Sequence, residues 1–476
     1  MPVDSVLRAN SPRYTPVATP LASLLIHGGV AALWLLLFAG AFAFTGIFAW
    51  SVGLVYIAYD TVLLGFTLVA TWPLRRVQPA PAAAAPASLA VIVAAHNEAQ
   101  VLPVTLAALF AQDDRPDRII VADDGSTDGT AALLIGHGIA VPDVGRSAVS
   151  SFGAASPSHG LAWLRLPHGG KAAALNVALA AIDSDIVLTV DADTLLEPGA
   201  IRAIRAAFAA DPHLVAATGV LTPVCDGSIG GRLFEWFQRY EYIRNFLSRF
   251  AWERANGLLL ISGAFAGFRR SAVIAVGGFD HDCLVEDYEL IHRLRRYGVR
   301  HGHAWTTAVV GGARARTAAP ADLPAFLRQR RRWFGGFLQT QFWYRDMVGD
   351  SAYGRLGTWM LPVKAFDTLQ PVFGLTAFFL LVYYLALGRV HVLLPVAIVI
   401  GAKIAIDLAF HLWSLRLYRS WAGGPPMSHA AAILASLVEP FSFQLLRHTG
   451  AALGWLTFLT GRQTWGAQSR GGLVRG

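Results

Sequence analysis

The stretch Asp185-Ile186-Val187-Leu188-Thr189-Val190-Asp191-Ala192-Asp193 is an apolar, β-branched run that ends in two carboxylates one residue apart. Such a run has the make-up of a buried strand. Side chains alternate faces on an extended segment, so Asp191 and Asp193 point to the same side and can approach one ligand. One can hold a hard divalent cation through oxygen while the other orients it or a ribose. Mg2+ or Mn2+ suits a site with so few carboxylates, where substrate phosphates complete the shell. Asp-X-Asp also makes an ordinary turn, and taken alone it supports both readings about equally.

The surroundings decide the fold. Strand signals at 89–95, 118–122, 161–166 and 185–190 alternate with helical stretches at 98–110, 127–135, 170–181 and 199–210. That alternation predicts a mostly parallel sheet covered on both faces, with ligands bound at the carboxyl ends of its strands. Polar residues stand at those ends. The first strand runs into Ala95-His96-Asn97-Glu98 and the second into Asp123-Asp124-Gly125-Ser126-Thr127-Asp128, whose carboxylates can accept hydrogen bonds from a base or ribose. A turn with Ser126 or Thr127 as N-cap and Asp128 on the helix dipole accounts for the second motif as well. Residues 144–160, rich in Ser, Gly and Ala without periodicity, are expected to form a surface loop.

Further along, Gly169-Gly170-Lys171 opens a helix but lacks the full phosphate-loop pattern, so ATPase chemistry is not supported. Beside an Asp-X-Asp, Lys171 becomes a contact for a phosphate or a pyrimidine carbonyl. Glu286-Asp287 begins a helix over 288–296. Acids suit a helix N-terminus, and Asp287 equally suits a general base that takes the proton of an acceptor hydroxyl. In Gln329-Arg330-Arg331-Arg332-Trp333, Arg332 can neutralise a diphosphate through its planar fork, and Trp333 can stack on a sugar ring. Arg328, Arg330 and Arg331 are expected to snorkel to lipid headgroups.

Hydrophobic residues make up 54% of the 476 and charged residues 15%. That is too apolar for a soluble protein and too charged for a bare helical bundle. Runs at 21–50 and 54–72 are long enough to cross a bilayer, with Asp60 the only charge inside them. Their length and immediate succession argue against a cleaved signal peptide. Arg8 and Arg13 before the pair, with Arg75 and Arg76 after it, place the central domain on the cytoplasmic side. Residues 372–387 and 392–415 form two more runs; Lys403 and Asp407, four apart, either pair on one helix face or line a polar path. The region 430–460 is interrupted at Glu439-Pro440 and Arg447-His448. The basic tail at Arg462, Arg470 and Arg475 calls for an even number of crossings, which a re-entrant or interfacial helix at 430–460 would satisfy. The net charge of +8 fits anionic lipid and a phosphorylated substrate, since no basic helix has the spacing of a nucleic-acid reader. Cys225 and Cys283 are too few for a disulfide framework or a zinc site and are expected to be packed thiols.

Asp-X-Asp, Glu-Asp and Gln-X-X-Arg-Trp, in that order and between membrane spans, resemble the membrane-embedded processive glycosyltransferases of family 2, which include cellulose, hyaluronan and poly-N-acetylglucosamine synthases. The likeness covers about residues 88–337. It implies an α/β nucleotide-diphosphate-sugar transferase domain, Rossmann-like with a mostly parallel sheet, inserted between N- and C-terminal transmembrane helices. By position it implies His96 and Glu98 near the nucleoside, Asp124 and Lys171 near its base, and Asp193 on the metal with Asp191 beside it. Asp287 would be the base, next to Glu286. Arg332 would hold the donor, while Gln329, Trp333 and Gly263 of Ser262-Gly263-Ala264 would meet the acceptor. Three positions depart from the family pattern. Ala94-Ala95 replaces a commoner Pro-Ala, Val285 replaces a frequent Thr, and Thr317-Ala318-Ala319-Pro320 lacks a Glu, which is expected to weaken the segment covering the donor.

The implied activity is inverting, metal-dependent transfer from a UDP-sugar to a growing β-linked polysaccharide at the inner face of a bacterial plasma membrane, coupled to export and leaving room for an export partner subunit. Transfer of one sugar to a membrane lipid acceptor is the alternative, and a nucleotide-sugar-sensing transporter or receptor without turnover is a third. The expected division is a cytoplasmic tail (1–20), two transmembrane helices (21–74), a Pro/Ala linker (75–87) and a cytoplasmic transferase domain (88–350). An interfacial helix with two to three transmembrane helices (351–460) and a basic tail (461–476) follow.

Overall fold

The computed structural model describes residues 3–75, 87–139, 141, 147–150, 160–423 and 427–461. All but the ends of the expected linker, and all but the first residue of the basic tail, lie outside them. The N-terminal residues form α1 (Val3–Asn10), and the first apolar runs form α2 (Leu21–Ala43) and α3 (Ser51–Thr71). A segment this apolar in lipid must satisfy its own N–H and C=O groups, and a helix does so within itself. The segment ahead of α2 is docked on the central domain. Leu7 is buried, and Arg13 pairs with Asp280 at 2.8 Å and Asp282 at 2.9 Å. Gly277, at φ 91°, lets the chain pass: a Cβ there would stand 2.2 Å from the Leu7 nitrogen.

The central region opens with β1 (Leu89–Ala95), α4 (Leu102–Phe110), β2 (Arg118–Asp124), α5 (Thr130–Gly136), β3 (Ser147–Ser150), β4 (Gly160–Leu166), α6 (Lys171–Ala180) and β5 (Ile186–Asp191). The β-branched runs become strands buried on both faces, as expected of strands covered by helices. Two helices start later than their composition predicts. Asn97 takes a left-handed φ of 57°, and its side-chain oxygen accepts from the Thr127 nitrogen at 2.8 Å, so the chain turns before α4 begins. Asp128, rather than Ser126 or Thr127, accepts from the Thr130 nitrogen at 2.9 Å where α5 begins; Ser126 Oγ instead accepts from the Asn97 nitrogen. The stretch expected to be a loop contains β3, an edge strand antiparallel to β4 with Val149 opposite Ala162.

The chain continues through β6 (Thr194–Leu196), α7 (Ala200–Ala210), β7 (Leu214–Val224), α8 (Ile229–Arg254), β8 (Phe265–Arg269), α9 (Arg270–Ala275), α10 (Glu286–Arg300), β9 (Thr306–Ala318) and α11 (Leu323–Trp343). The nine strands form one mixed sheet in the order β3-β4-β2-β1-β5-β8-β7-β9-β6. It runs parallel through β4-β2-β1-β5 and between β7 and β9. The register pairs Ala95 with Asp123 and Ala94 with Asp191, which brings the polar strand ends to one edge.

The C-terminal region forms α12 (Leu361–Ala386), α13 (Val390–Ala422), α14 (His429–Val438) and α15 (Phe443–Thr460). Among the described residues four helical segments are long and apolar enough to cross a membrane: Leu21–Ala43, Gly46–Arg75, Leu356–Ala386 and Val390–Ala422. A fifth arises if α14 and α15, bent by 47°, count as one span. Glu439-Pro440 sits at that bend, but Arg447-His448 does not interrupt α15, because both residues turn inward and find polar partners.

Candidate active site

The carboxyl edge of the parallel strands opens onto a cavity of about 750 Å³ lined by Lys171, Asp191, Asp193, Gly263, Glu286, Asp287, Gln329, Arg332 and Trp333. Residues separated by up to 162 positions thus share one wall system, because β5 ends there, α6 and α10 begin there, and the middle of α11 passes over it.

Asp191 closes β5, and Asp193 follows in the turn before β6. Lys171 Nζ at the start of α6 lies 2.5 Å from Asp191 and 3.5 Å from Glu286. Burial works against the Lys171 charge, but Asp191 and Glu286 outweigh it and hold the ammonium above the ordinary lysine range. Asp193 is pushed up to about 7 by burial, then by the neighbouring Asp191 charge. Burial likewise raises Glu286, against the pull of Lys171. Two carboxylates crowded against one ammonium are an environment that a divalent cation would neutralise, and all-oxygen ligands suit Mg2+ or Mn2+.

Asp287, in the first turn of α10, is held by backbone. Its Oδ2 accepts from the Gly263 nitrogen at 2.7 Å and its Oδ1 from its neighbour Tyr288 at 2.8 Å. The approach is close enough that a Cβ at Gly263 would stand 3.0 Å from Oδ2. On α11, Arg332 donates to the Leu284 carbonyl at 3.0 Å, and the half-buried Trp333 carries the Arg330 guanidinium 4.7 Å above its ring. Gln329 is buried, and its Oε1 meets no hydrogen-bond partner among the described residues.

His96, Glu98 and Asp124 lie outside this lining, at the ends of β1 and β2. Asp124 is buried and ties the two regions together: its carboxylate accepts from the Gly169 nitrogen at 2.7 Å and from Gly170 at 3.0 Å, which sets the turn that aims Lys171. His96 Nδ1 donates to the Asp124 carbonyl at 2.7 Å, His168 Nδ1 sits 2.9 Å from Asp124 Oδ2, and the two rings are 4.4 Å apart. One ligand atom from each of His96, Asp124 and His168 falls within 4.8 Å of the others, a mixed nitrogen and oxygen set able to hold a metal ion. Glu98 is buried behind them, its backbone nitrogen donating to Thr130 Oγ1 at 3.2 Å.

Two arginines are not at the lipid surface. Arg330 makes a two-pronged pair with Glu241 at 2.7 Å, and Arg331 Nε donates to Thr457 at 2.8 Å; only Arg328 is exposed. The segment 317–320, lacking its Glu, is anchored by another route: Gln238 of α8 donates to the Pro320 carbonyl at 2.9 Å. Cys225 and Cys283 are buried free thiols, as their small number implies.

Sequence reasoning missed α8 entirely. Glu241, Arg244, Asn245, Ser248, Arg249 and Trp252 form its cavity face at helical spacing. Beyond α8 the cavity continues among the apolar helices past Tyr56, Asp60, Lys403, Asp407, Glu439, Gln444, Arg447 and His448. Lys403 reaches Asp60 at 2.6 Å and also Asp407, so the pair four apart both closes on itself and lines a polar path. Arg447 reaches Glu439, and Tyr56 reaches His448 at 2.8 Å.

The glycosyltransferase-like family 2 signature matches residues 86–336. Poly-beta-1,6-N-acetyl-D-glucosamine synthase of Staphylococcus aureus is 28% identical over 248 residues, 52% of this chain and 53% of that protein. The synthase of the same name from Staphylococcus epidermidis is 26% identical over 258 residues, 53% of this chain and 56% of that protein. The chain thus spans about half the length of the curated relatives it matches. A mannosyltransferase from Pyrobaculum calidifontis, solved with GDP-Man and Mn2+, superposes over 82% of this chain and 99% of its own, with a TM-score of 0.51 at 22% identity, a likeness of fold. With the signature covering more than half of its length, the chain belongs to the glycosyltransferase-like family 2 and is a glycosyltransferase.

Proposed function

We propose that the chain transfers sugar units from a UDP-sugar to a growing β-linked polysaccharide at the cytoplasmic face of a bacterial inner membrane, with inversion at the anomeric carbon. The observation that carries the reading is the cavity, which runs without a break from Asp191 and Asp287 to Trp50, Phe378 and Leu381 among the apolar helices. A product made at its mouth would have a polar way into the bundle.

The acceptor hydroxyl gives its proton to Asp287 as its oxygen bonds to the anomeric carbon. The bond from that carbon to the phosphate oxygen breaks, and the electron pair leaves with the nucleoside diphosphate. Asp193 with Asp191 would hold Mg2+ or Mn2+, which when bound neutralises charge on the diphosphate. Arg332 and Lys171 face the same charge as it grows on the leaving group. Gln329, Trp333 and Gly263 shape the acceptor side, with Glu286 fixing Lys171. His96, Glu98 and Asp124 stand where the strand ends would receive the nucleoside.

UDP release by purified protein in nanodiscs, over a panel of UDP-sugars with products sized, tests the proposal. Turnover with one donor to a long product is expected, and absence of turnover despite tight UDP binding would favour the sensor reading. Chelating the divalent cation, or Asp193→Asn, should each weaken UDP binding by roughly tenfold or more, equivalent to about 1.4 kcal/mol; calorimetry that finds unchanged affinity removes Asp193 from the metal site. Gly374 lines the cavity beside His448 and Tyr56. Gly374→Leu should therefore shorten the product while UDP binding stays intact. Unaltered product length would favour transfer of a single sugar to a lipid.

A further inference from the structure

Among the described residues Arg249 forms no salt bridge. It lies on the cavity face of α8, with Nε and Nη1 buried and without a hydrogen-bond partner among the described residues. The guanidinium stacks over Phe246, 4.5 Å from the ring centre. Its neighbours differ. Arg330 is paired with Glu241, Arg244 with Asp60 at 3.7 Å, Arg447 with Glu439, Lys403 with Asp60 and Asp407, and Lys171 with Asp191.

The carboxylates within electrostatic reach of Arg249 are Asp287 and Glu241, with the Tyr242 hydroxyl beside them. Both are already engaged, Asp287 by two backbone nitrogens and Glu241 by Arg330. Burial pulls the Arg249 guanidinium down to about 10, against the weaker pull of those groups. A guanidinium keeps its charge at physiological pH, and its planar fork matches a carboxylate or a phosphate. Buried polar groups in native proteins are paired, so an unpaired one facing a cavity marks a place where a ligand supplies the partner.

The position also says which ligand. Lys171 is paired with Asp191 and Arg332 donates to the Leu284 carbonyl, whereas Arg249 lies within electrostatic reach of Asp287 with Nε and Nη1 unpartnered among the described residues. Asn245, Ser248 and Ser262 line the same cavity, and their polar side chains can meet sugar hydroxyls. We propose that Arg249 is a recognition site for an anionic group, a phosphoester or a carboxylate, carried by the acceptor near its reacting hydroxyl. This deepens the proposed function and rests on its assignment of the acceptor to the Asp287 side.

The test is binding to purified protein saturated with UDP and Mn2+, so that the donor side is filled. Glucose 6-phosphate and glucuronate are compared with glucose by calorimetry. At least one anion should bind about tenfold tighter than glucose. Arg249→Ala should erase that preference, and Arg249→Lys should keep part of it. The proposal is overturned if glucose binds as well as both anions, or if the preference survives in Arg249→Ala. A stronger response to glucose 6-phosphate assigns the charge to a phosphoester such as a lipid headgroup, and a stronger response to glucuronate assigns it to a uronic acid. Arg249→Gln, which keeps more of the side-chain volume, replaces the Ala variant if that one shows no thermal unfolding transition. UDP binding by the unaltered protein is read separately. Its absence would sink the donor reading, and the anion preference is then measured without nucleotide.

Discussion

Asp287→Asn should lower sugar transfer by about 10²- to 10⁴-fold, the contribution of a positioned general base, with UDP affinity within about twofold of the unaltered protein. The size follows from what the substitution changes. Asn has the shape of Asp, so the first turn of α10 and the close pass of Gly263 are kept. One of the two backbone bonds, from Gly263 or from Tyr288, can still be accepted by the amide oxygen; the other would face an NH2 group. What is lost outright is a site for the acceptor's proton. Glu286→Gln makes a useful contrast, since Glu286 touches Lys171 at 3.5 Å rather than the backbone that frames Asp287. Its effect should appear mainly in donor binding. Rates of UDP release with and without acceptor, beside calorimetric UDP titrations, separate the two. A loss smaller than about tenfold in Asp287→Asn would take the base role away from it.

The apolar run of β5 and its polar end, both local facts, placed Asp191 at the strand's carboxyl end; Asp193 lies in the turn after it rather than on the strand, and both line one cavity. The same is true of β1 and β2, whose β-branched runs are self-evident, and of the apolar alternation in β4. The helix starts slipped because Asn97 and Asp128 spend their side chains on backbone nitrogens across the β1–β2 gap, a contact between segments about 30 residues apart. The larger omission was α8. Its spacing marks an amphipathic helix, but nothing local says that Glu241 meets Arg330 and Arg447, or that Arg249 Nε and Nη1 meet no hydrogen-bond partner among the described residues. Arg330 and Arg331 looked like surface cations for the same reason: their partners, Glu241 and Thr457, lie 89 and 126 positions away. Asp60 and Lys403 are 343 positions apart; Asp60 read as a lone intramembrane charge, and Lys403 as a partner for Asp407 only. Long-range charge pairing is what the sequence hides, and it is also what builds the polar path.

Arg293→Ala should destabilise the protein by about 3–5 kcal/mol, the cost of removing one partner from a buried ion pair. Arg293 is 1% exposed and Glu289 0%. The guanidinium spans Glu289, at 3.1 Å from Nε and 2.7 Å from Nη2, and the Val276 and Gly278 carbonyls, each at 2.8 Å. Glu289 accepts a further bond from Tyr344 at 2.6 Å. One side chain thus ties the middle of α10 to the turn that precedes it, and α10 begins with Glu286 and Asp287. Lysine cannot replace this fork, because a single ammonium cannot reach a carboxylate and two carbonyls in the same plane. Arg293→Lys should therefore fail to restore stability. The control is Arg314→Ala, whose partner Glu197 and itself are each about one-third exposed; such a pair is worth roughly 1 kcal/mol at most. In thermal unfolding, Arg293→Ala should fall on the order of 10 °C and Arg314→Ala by a few degrees at most. Equal shifts in the two variants would mean that α10 is held in place by its apolar face, through Leu290, Ile291 and Leu294, and not by the buried charge. The position of Asp287 would then depend on packing, and substitutions on that face would disturb catalysis first.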